Sequence, residues 1–516
     1  MTRKLLALLL TVIMATALVG CGSGRSQNGK NGAKAPDQNL VVAFNNDIQS
    51  LDPQNASDTL SITVIRTMYE ALVSFDKNQK IIPQLATSYK VGKNNLTYTF
   101  KLRKNVKFHD GTDFNAAAFK ANYERDLKNT KLREHILVST WASVQTPDKY
   151  TVVIKLKQPN STFINKMTMF DIISPKLIKR GDAAIAKEPD GTGAYKFESR
   201  VAGDHVTVVP FASYWNGKPK VKSLTFKAVP EDGARVAMLQ TGEADYIYPM
   251  PTTQAAKVNG TRNIKVDTQP SAIERYVTLN TMIPQFKSKK VRQAMNYAIN
   301  KDAYIKTVFK GYASQVYSAY PSTVQYYSPQ KPYTFNLKKA KQLMAEAGYK
   351  NGFSVTLWGD NTTTEQIGEQ FVQQQLAQIG IKVKVLPMEP NTISNKIFVP
   401  KNKATINMWY VNWSPSSFDA DGALRALLYS KMIPPTSANT AYYNNSTVDK
   451  LLDEGLATAN SSKLKKIYAR VQKRVWDDAP WLFLGSDKVI SGQKTYLTGV
   501  TLAPDGSLDL TKAELK

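Results

Sequence analysis

Between positions 409 and 425 the chain reads Trp409-Tyr410-Val411-Asn412-Trp413-Ser414-Pro415-Ser416-Ser417-Phe418-Asp419-Ala420-Asp421-Gly422-Ala423-Leu424-Arg425, which gathers aromatic faces, two carboxylates and a guanidinium on one short stretch. A zwitterion such as a small peptide needs an anion for its ammonium group, a cation for its carboxylate, and apolar walls that exclude water and strengthen both pairings. Trp409, Trp413, Ser416, Asp419, Asp421 and Arg425 are therefore candidate binding residues. Each has a structural alternative: either carboxylate suits the N-cap of a helix through Leu424, Leu427 and Leu428, and the tryptophans suit a core. A second candidate group lies far upstream, where Asn45, Asn46 and Asp47 follow an apolar strand from Leu40 to Phe44. The Gly-rich turn from Thr192 to Tyr195 can offer backbone N–H groups to a carbonyl or carboxylate, or is simply a tight connection.

Catalytic and metal chemistry find little to work with. The only histidines are His109, His135 and His205, none spaced as a metal pair, and His109 in Phe-His-Asp-Gly reads as a structural hydrogen-bonding group. No nucleophile elbow and no Ser-x-x-Lys with partners stands out. Asp419 and Asp421, two residues apart on one loop, do not by themselves flank a bond to be cleaved. No enzyme, metal or cofactor is expected. Trp215, in Tyr-Trp-Asn-Gly, reads as a packing residue at a turn.

The elements that must position these residues have two rhythms. In the first third, Tyr98, Phe100 and Leu102 alternate with polar residues, as do Tyr150, Val152, Ile154 and Leu156, which predicts antiparallel strands with one wet face. Ile62, Ile65, Met68 and Leu72 recur at helical spacing, and Asn115 caps a predicted helix over 116–128. The second half alternates helix and strand. A helix starts at Asn336 and closes at Gly348, a strand covers 353–358, a helix covers 363–379 before Gly380, and Ile381, Val383 and Val385 form the next strand. Ser446-Thr447-Val448-Asp449 has the form of a capping box, and Leu464, Ile467, Val471 and Val475 mark an amphipathic helix. Tyr276 to Asn280 and Trp481 to Leu484 read as two crossings between lobes, side by side, forming a hinge.

Arg3 and Lys4 precede an apolar run ending in Leu18-Val19-Gly20-Cys21, with Cys21 the only cysteine of the 516 residues. A basic start followed by a short apolar run is an export signal, over 1–20, and the run is too short for a confident membrane span. The Leu-Val-Gly-Cys context looks like a lipobox, which marks Cys21 for lipidation. Residues 21–39 are polar and Gly-rich, the composition of a flexible tether. The formal net charge of +27 is scattered in ones and twos and not gathered into a stripe, which argues against nucleic acid and for attraction to an anionic envelope.

Over nearly the whole mature chain, the order of weaker motifs resembles the extracytoplasmic solute-binding proteins of peptide ABC importers. They are Leu51-Asp52-Pro53, Tyr69-Glu70-Ala71-Leu72-Val73, Pro83-Gln84-Leu85-Ala86, the run from Tyr98 to Gly111, Gly191-Thr192-Gly193-Ala194-Tyr195-Lys196-Phe197, Tyr214-Trp215, the run from Leu239 to Asp245, and that from Val291 to Ile299. The resemblance implies an α/β, two-lobed type II binding-protein fold (cluster C) with a peptide held between lobes, and Asn45, Asn46 and Asp47 facing the cleft. Lobe 1 would span 40–275 with an extra subdomain at about 69–187, lobe 2 would span 276–484, and 485–516 would return to lobe 1. It implies a monomer, lipid-anchored on the extracellular or periplasmic side of the cell membrane, that hands its ligand to permease subunits. Dipeptide-type receptors place an aspartate where Ser416 stands here. The local pattern around Trp413 is more similar to the glutathione-binding subgroup, whose ligand has two carboxylates that Arg425 would suit. A basic wall-binding surface protein and a hydrolase are the competing classes.

Overall fold

The computed structural model describes residues 38–516; residues 1–37, on which the expected export signal, Cys21 and most of the expected tether fall, lie outside the described residues. Two parallel β-α-β units flank the middle of one eleven-stranded sheet, the first of them edged by the antiparallel hairpin Tyr195–Val201 and His205–Pro210. On one side Ser223–Ala228, the helix Asp232–Thr241 and Tyr246–Tyr248 place two strands on either side of Asn39–Phe44, all parallel. On the other, Phe353–Asp360 and Ile381–Met388 run parallel around the helix Thr363–Ala377, with Met408–Trp413 parallel on the far side. Parallel strands need such crossovers and are covered on both faces, which is why Leu40, Val42, Ala43 and Phe44 are all buried.

The middle of the sheet is antiparallel and consists of two long strands, Ile264–Leu279 and Trp481–Lys494, which connect the two ends. Their ladder runs from Ile264 opposite Lys494 to Pro270 opposite Lys488, breaks, and resumes from Glu274 opposite Ser486 to Thr278 opposite Trp481. Across the break, backbone groups find other partners. Ser271 Oγ donates to Asp487 O (2.6 Å) and accepts from Ile273 N (3.0 Å), while Ala272 N donates to Pro504 O (3.0 Å). Such an interruption bends and twists the strand while leaving its buried groups satisfied. The residues read as crossings do pair, Tyr276 with Phe483 and Val277 with Leu482. Tyr246–Tyr248 pairs with Trp481–Lys494 on one side of the break, and Met408–Trp413 pairs with Ile264–Leu279 on the other.

A separate four-stranded antiparallel sheet, in the order Ala86–Val91, Thr97–Leu102, Thr151–Leu156, Trp141–Asp148, carries the predicted alternation. Tyr98, Phe100, Val152 and Ile154 face its core, where the Phe119 and Trp141 rings stack at 6.2 Å. Burying side chains of this size stabilises by about 1.5–3 kcal/mol each. Asn115 caps the helix Ala116–Lys128 through Ala117 N and Ala118 N, and Asn336 caps Leu337–Glu346. Two expectations are corrected. The helix Thr59–Met68 ends before Leu72. The cap of Ser446–Ala457 is Asn445, not Ser446, because the Asn445 carboxamide reaches Thr447 N and Val448 N, while Asp449 turns away to accept from Ser430 N (3.0 Å).

Candidate ligand-binding site

The resumed ladder puts Glu274 directly opposite Trp413 on one side and Ser486 on the other. Ala272, Glu274 and Tyr276 share one face of their strand by period two, and with Tyr320, Trp413 and Trp481 they line a slit too narrow for a free water molecule. Tyr276 and Trp481 stack at 4.2 Å, fixing the floor. The Trp413 indole N–H donates to Gly422 O (3.3 Å), which sets the angle of that wall. Glu274 is 3% exposed and neither carboxylate oxygen has a hydrogen-bond partner. Burial pushes its carboxyl well above the usual range, offset only in part by the Lys301 ammonium. Lys301 is itself buried, which draws it down to about 8, and its Nζ lies 5.5 and 5.8 Å from the Trp476 and Tyr333 ring centroids. On the other face of the strand, Arg275 is fully engaged, by Asp487 (2.6 Å) and by both oxygens of Glu365 (2.7 and 2.9 Å).

Two larger clefts lie where the four-stranded subdomain and the first helix approach the 415–420 loop. One, of about 540 Å³, is bordered by Tyr98, Asn165, Tyr326, Asp419 and Tyr468. The other, of about 470 Å³, is bordered by Arg66, Phe75, Asp171, Phe418 and Lys512. Between them the chain is shut: Phe75 and Phe418 meet edge to face at 5.4 Å, Asn165 Nδ2 donates to Ser417 O (3.0 Å), and Ser161 N donates to Leu456 O (2.9 Å).

The residues read as binding candidates are only partly brought together. Trp413 lines the slit, and Asp419 borders a cleft while capping the helix Ala420–Leu428 through Gly422 N (2.7 Å) and accepting from Ser417 Oγ. Asp421 and Arg425 neutralise one another one helical turn apart (2.9 and 3.0 Å), and Arg425 also meets Asp453 (2.9 Å), while its Nη2 is buried without a partner. Ser416 is exposed. Trp409 packs on a satellite core with Trp358, Ile397 and Tyr442, away from the slit. Asp47 accepts from Gly203 N (2.8 Å) and pairs with Arg200, tying down a hairpin; Asn45 is half-buried and Asn46 exposed, and none of the three borders these cavities. Tyr195 is fully buried in the core around Leu40 and Val208.

The turn before Tyr195 is a tight connection. Gly193 N donates to Met68 O (2.8 Å), and a Cβ on Gly193 would sit 2.5 Å from the Met68 carbonyl carbon. His109 spans the same turn: its Nε2 meets Gly193 O (3.0 Å), its Nδ1 accepts from Gly191 N (3.4 Å), and burial lowers it to about 4, so the ring is neutral with the proton on Nε2. Trp215 does more than pack, since its N–H donates to Glu70 (2.9 Å). Sequence reading missed Glu274. Its signal was present: two consecutive charges, Glu274 and Arg275, inside a run that otherwise alternates as a buried strand.

Two lobes joined by a pair of crossing strands, with an aromatic cavity at the crossing, define a binding protein of the two-lobed type II fold. The chain belongs to the bacterial extracellular solute-binding proteins, family 5, whose middle-region model matches residues 80–434. The glutathione-binding protein GsiB of Escherichia coli (strain K12) is 40% identical over 486 residues, covering 93% of this chain and 95% of that protein. Among solved structures, HbpA2 from Haemophilus parasuis superposes with a TM-score of 0.84 at 25% identity, covering 93% of this chain and 100% of that one. DppA from Helicobacter pylori, in complex with the peptide STSA, gives 0.76 at 27% identity, covering 92% and 98%. The chain is a solute receptor and not an enzyme. Among the described residues no helix is long and apolar enough to cross a membrane, and no group of three or more His, Cys, Asp or Glu is placed to hold a metal.

Proposed function

We propose that this receptor, anchored to the membrane through lipid on Cys21, encloses a short peptide between its lobes and delivers it to the permease of an ABC importer. The observation that carries the reading is the crossing itself, two strands shared by both lobes with an aromatic slit beside them, together with two clefts at the 415–420 loop lined by residues of both halves of the chain. A guest there is buried by closure, which concentrates affinity in desolvated contacts. Trp413 serves as an apolar wall and Asp419 as a polar rim. In this reading lobe 1 spans 40–275 with its subdomain at about 69–187, lobe 2 spans 276–484, and 485–516 return to lobe 1.

Glutathione, itself a tripeptide, is the second reading, favoured by 40% identity to glutathione-binding GsiB over 93% of the chain. A wall-binding protein without a transport role is not favoured by these likenesses. The exported chain carrying Cys21→Ser, mixed with defined tripeptides and with glutathione, is followed by thermal melting. An enclosed ligand at a hundredfold excess over its dissociation constant stabilises by about 3 kcal/mol, with little dependence on salt. If no member of either set raises the melting temperature, the proposal fails.

A further inference from the structure

We infer that the four-stranded subdomain is a latch on the second lobe: Asn95, Ser161 and Asn165 donate to lobe 2 carbonyls in the shut form and so set how long a ligand stays enclosed. The inference rests on the receptor reading above and adds to it a positioning role for residues that need touch no ligand. It begins at the end of the helix Ser446–Ala457. The last four carbonyls of a helix have no partner within it, and a buried one must find a donor elsewhere. Thr458 serves two of them, its Oγ1 donating to Glu454 O (2.8 Å) and its N to Gly455 O (3.2 Å). Leu456 O accepts instead from the subdomain, from Ser161 N (2.9 Å) and Asn95 Nδ2 (3.3 Å). One lobe thus completes the helix cap of the other.

The subdomain is shaped for this reach. Asn95 stands in the turn between Ala86–Val91 and Thr97–Leu102, yet it is only 2% exposed. The turn is closed by its own backbone, Gly92 N to Thr97 O (2.7 Å), so the Asn95 carboxamide is free to point outward to Leu456. Asn94 and Asn95 both have positive φ (62° and 53°), a backbone that Asn tolerates better than most side chains. Asn160 N donates to Asn95 O (3.2 Å), tying the turn to the 160–165 segment. There Asn165, also buried, donates to Ser417 O (3.0 Å). The next residue, Phe418, has positive φ (50°), a costly backbone for a bulky side chain, and its ring is held against Phe75 of the subdomain at 5.4 Å. None of these contacts involves the crossing strands. A turn of the lobes about the crossing therefore parts them together, and closing restores them together.

The test is a distance measurement between spin labels on the Cys21→Ser chain carrying Lys90→Cys and Lys466→Cys, exposed sites on the subdomain and on lobe 2. This parent is compared with the same chain bearing Asn95→Gly and Asn165→Ala, without ligand and with trialanine or glutathione. Glycine keeps the left-handed turn while removing the carboxamide. The expected result is a shut-to-open ratio about tenfold lower in the double variant, and release of whichever ligand binds about tenfold faster by stopped flow, since two hydrogen bonds are exchanged for water. The melting temperature should move little, which a purely structural role would not allow. Each single variant should show part of the shift, and the singles decide if the double variant does not fold. Equal distributions in parent and variants, or a parent without a shut population under any of these conditions, overturn the latch and leave the receptor reading intact. If the parent binds neither ligand, the peptide reading falls, and the ligand-free distributions alone decide the latch.

Discussion

Glu70 and Glu274 are both glutamates buried to 3% exposure or less, and their surroundings treat them in opposite ways. Glu70, just past the helix Thr59–Met68, accepts from Thr192 Oγ (2.8 Å), Tyr214 OH (2.8 Å) and the Trp215 indole (2.9 Å), with Gln84 at 3.5 Å. Glu274 accepts from nothing. Burial raises both carboxyls, Glu70 to about 7 in spite of its donors. A carboxylate ringed by donors from its own chain is a joint of the fold. One left bare beside aromatic walls adds no such tie.

Three experiments sharpen or break this contrast, beyond the binding tests already described. The largest effect is expected for Glu70→Ala, which strands three donors at once, Thr192 buried and Tyr214 and Trp215 half-buried, and should lower unfolding free energy by about 3 kcal/mol in denaturant titration. A loss no greater than that of a surface substitution would remove the joint from the account.

Next comes pH. Because the folded pKa of Glu70 lies above its unfolded value of 4.5, its protonated form adds stability that is fully present below 4.5 and is lost as pH rises through about 7. Glu70→Gln mimics the protonated form at every pH. The stability of the parent relative to E70Q should therefore fall by about 3 kcal/mol between pH 4 and pH 8. His109 works in the opposite sense: its folded pKa of about 4 is below the unfolded 6.5, so its contribution is present above 6.5 and fades as pH falls toward 4. A parent and E70Q difference that stays flat with pH would deny that Glu70 carries the raised pKa.

The smallest effect, and the one of opposite sign, is expected for Glu274→Met. Replacing a bare buried carboxylate by an apolar side chain of similar length should leave the unliganded protein as stable or raise its stability by about 1 kcal/mol, read by denaturant titration. Destabilisation comparable to that of E70A would make the two glutamates alike.

Much of the frame was legible in the residues. Asn115, Asn336 and Gly380 mark helix ends where the structure has them, and the alternation of Tyr98, Phe100 and Leu102 marks a strand with one buried face. The order of weak family motifs also acquires a physical meaning, since Glu70, Gln84, Thr192 and Tyr214-Trp215 converge on one hydrogen-bonded cluster. The candidate site was less legible. Trp413 was visible, but Tyr195 and Trp409 are core, Arg425 is spoken for by Asp421 and Asp453, and Glu274 went unread.

Caps, periods and strand alternation depend on neighbours a few residues away, so the sequence by itself determined the elements, their order and the two-lobed class. Whether a charge is used up or available depends on partners brought from far along the chain, such as Asp487 for Arg275 and Trp215 for Glu70. Only tertiary packing chooses those partners, and only the register between Ile264–Leu279 and Met408–Trp413 set Glu274 against Trp413 without a hydrogen-bond partner.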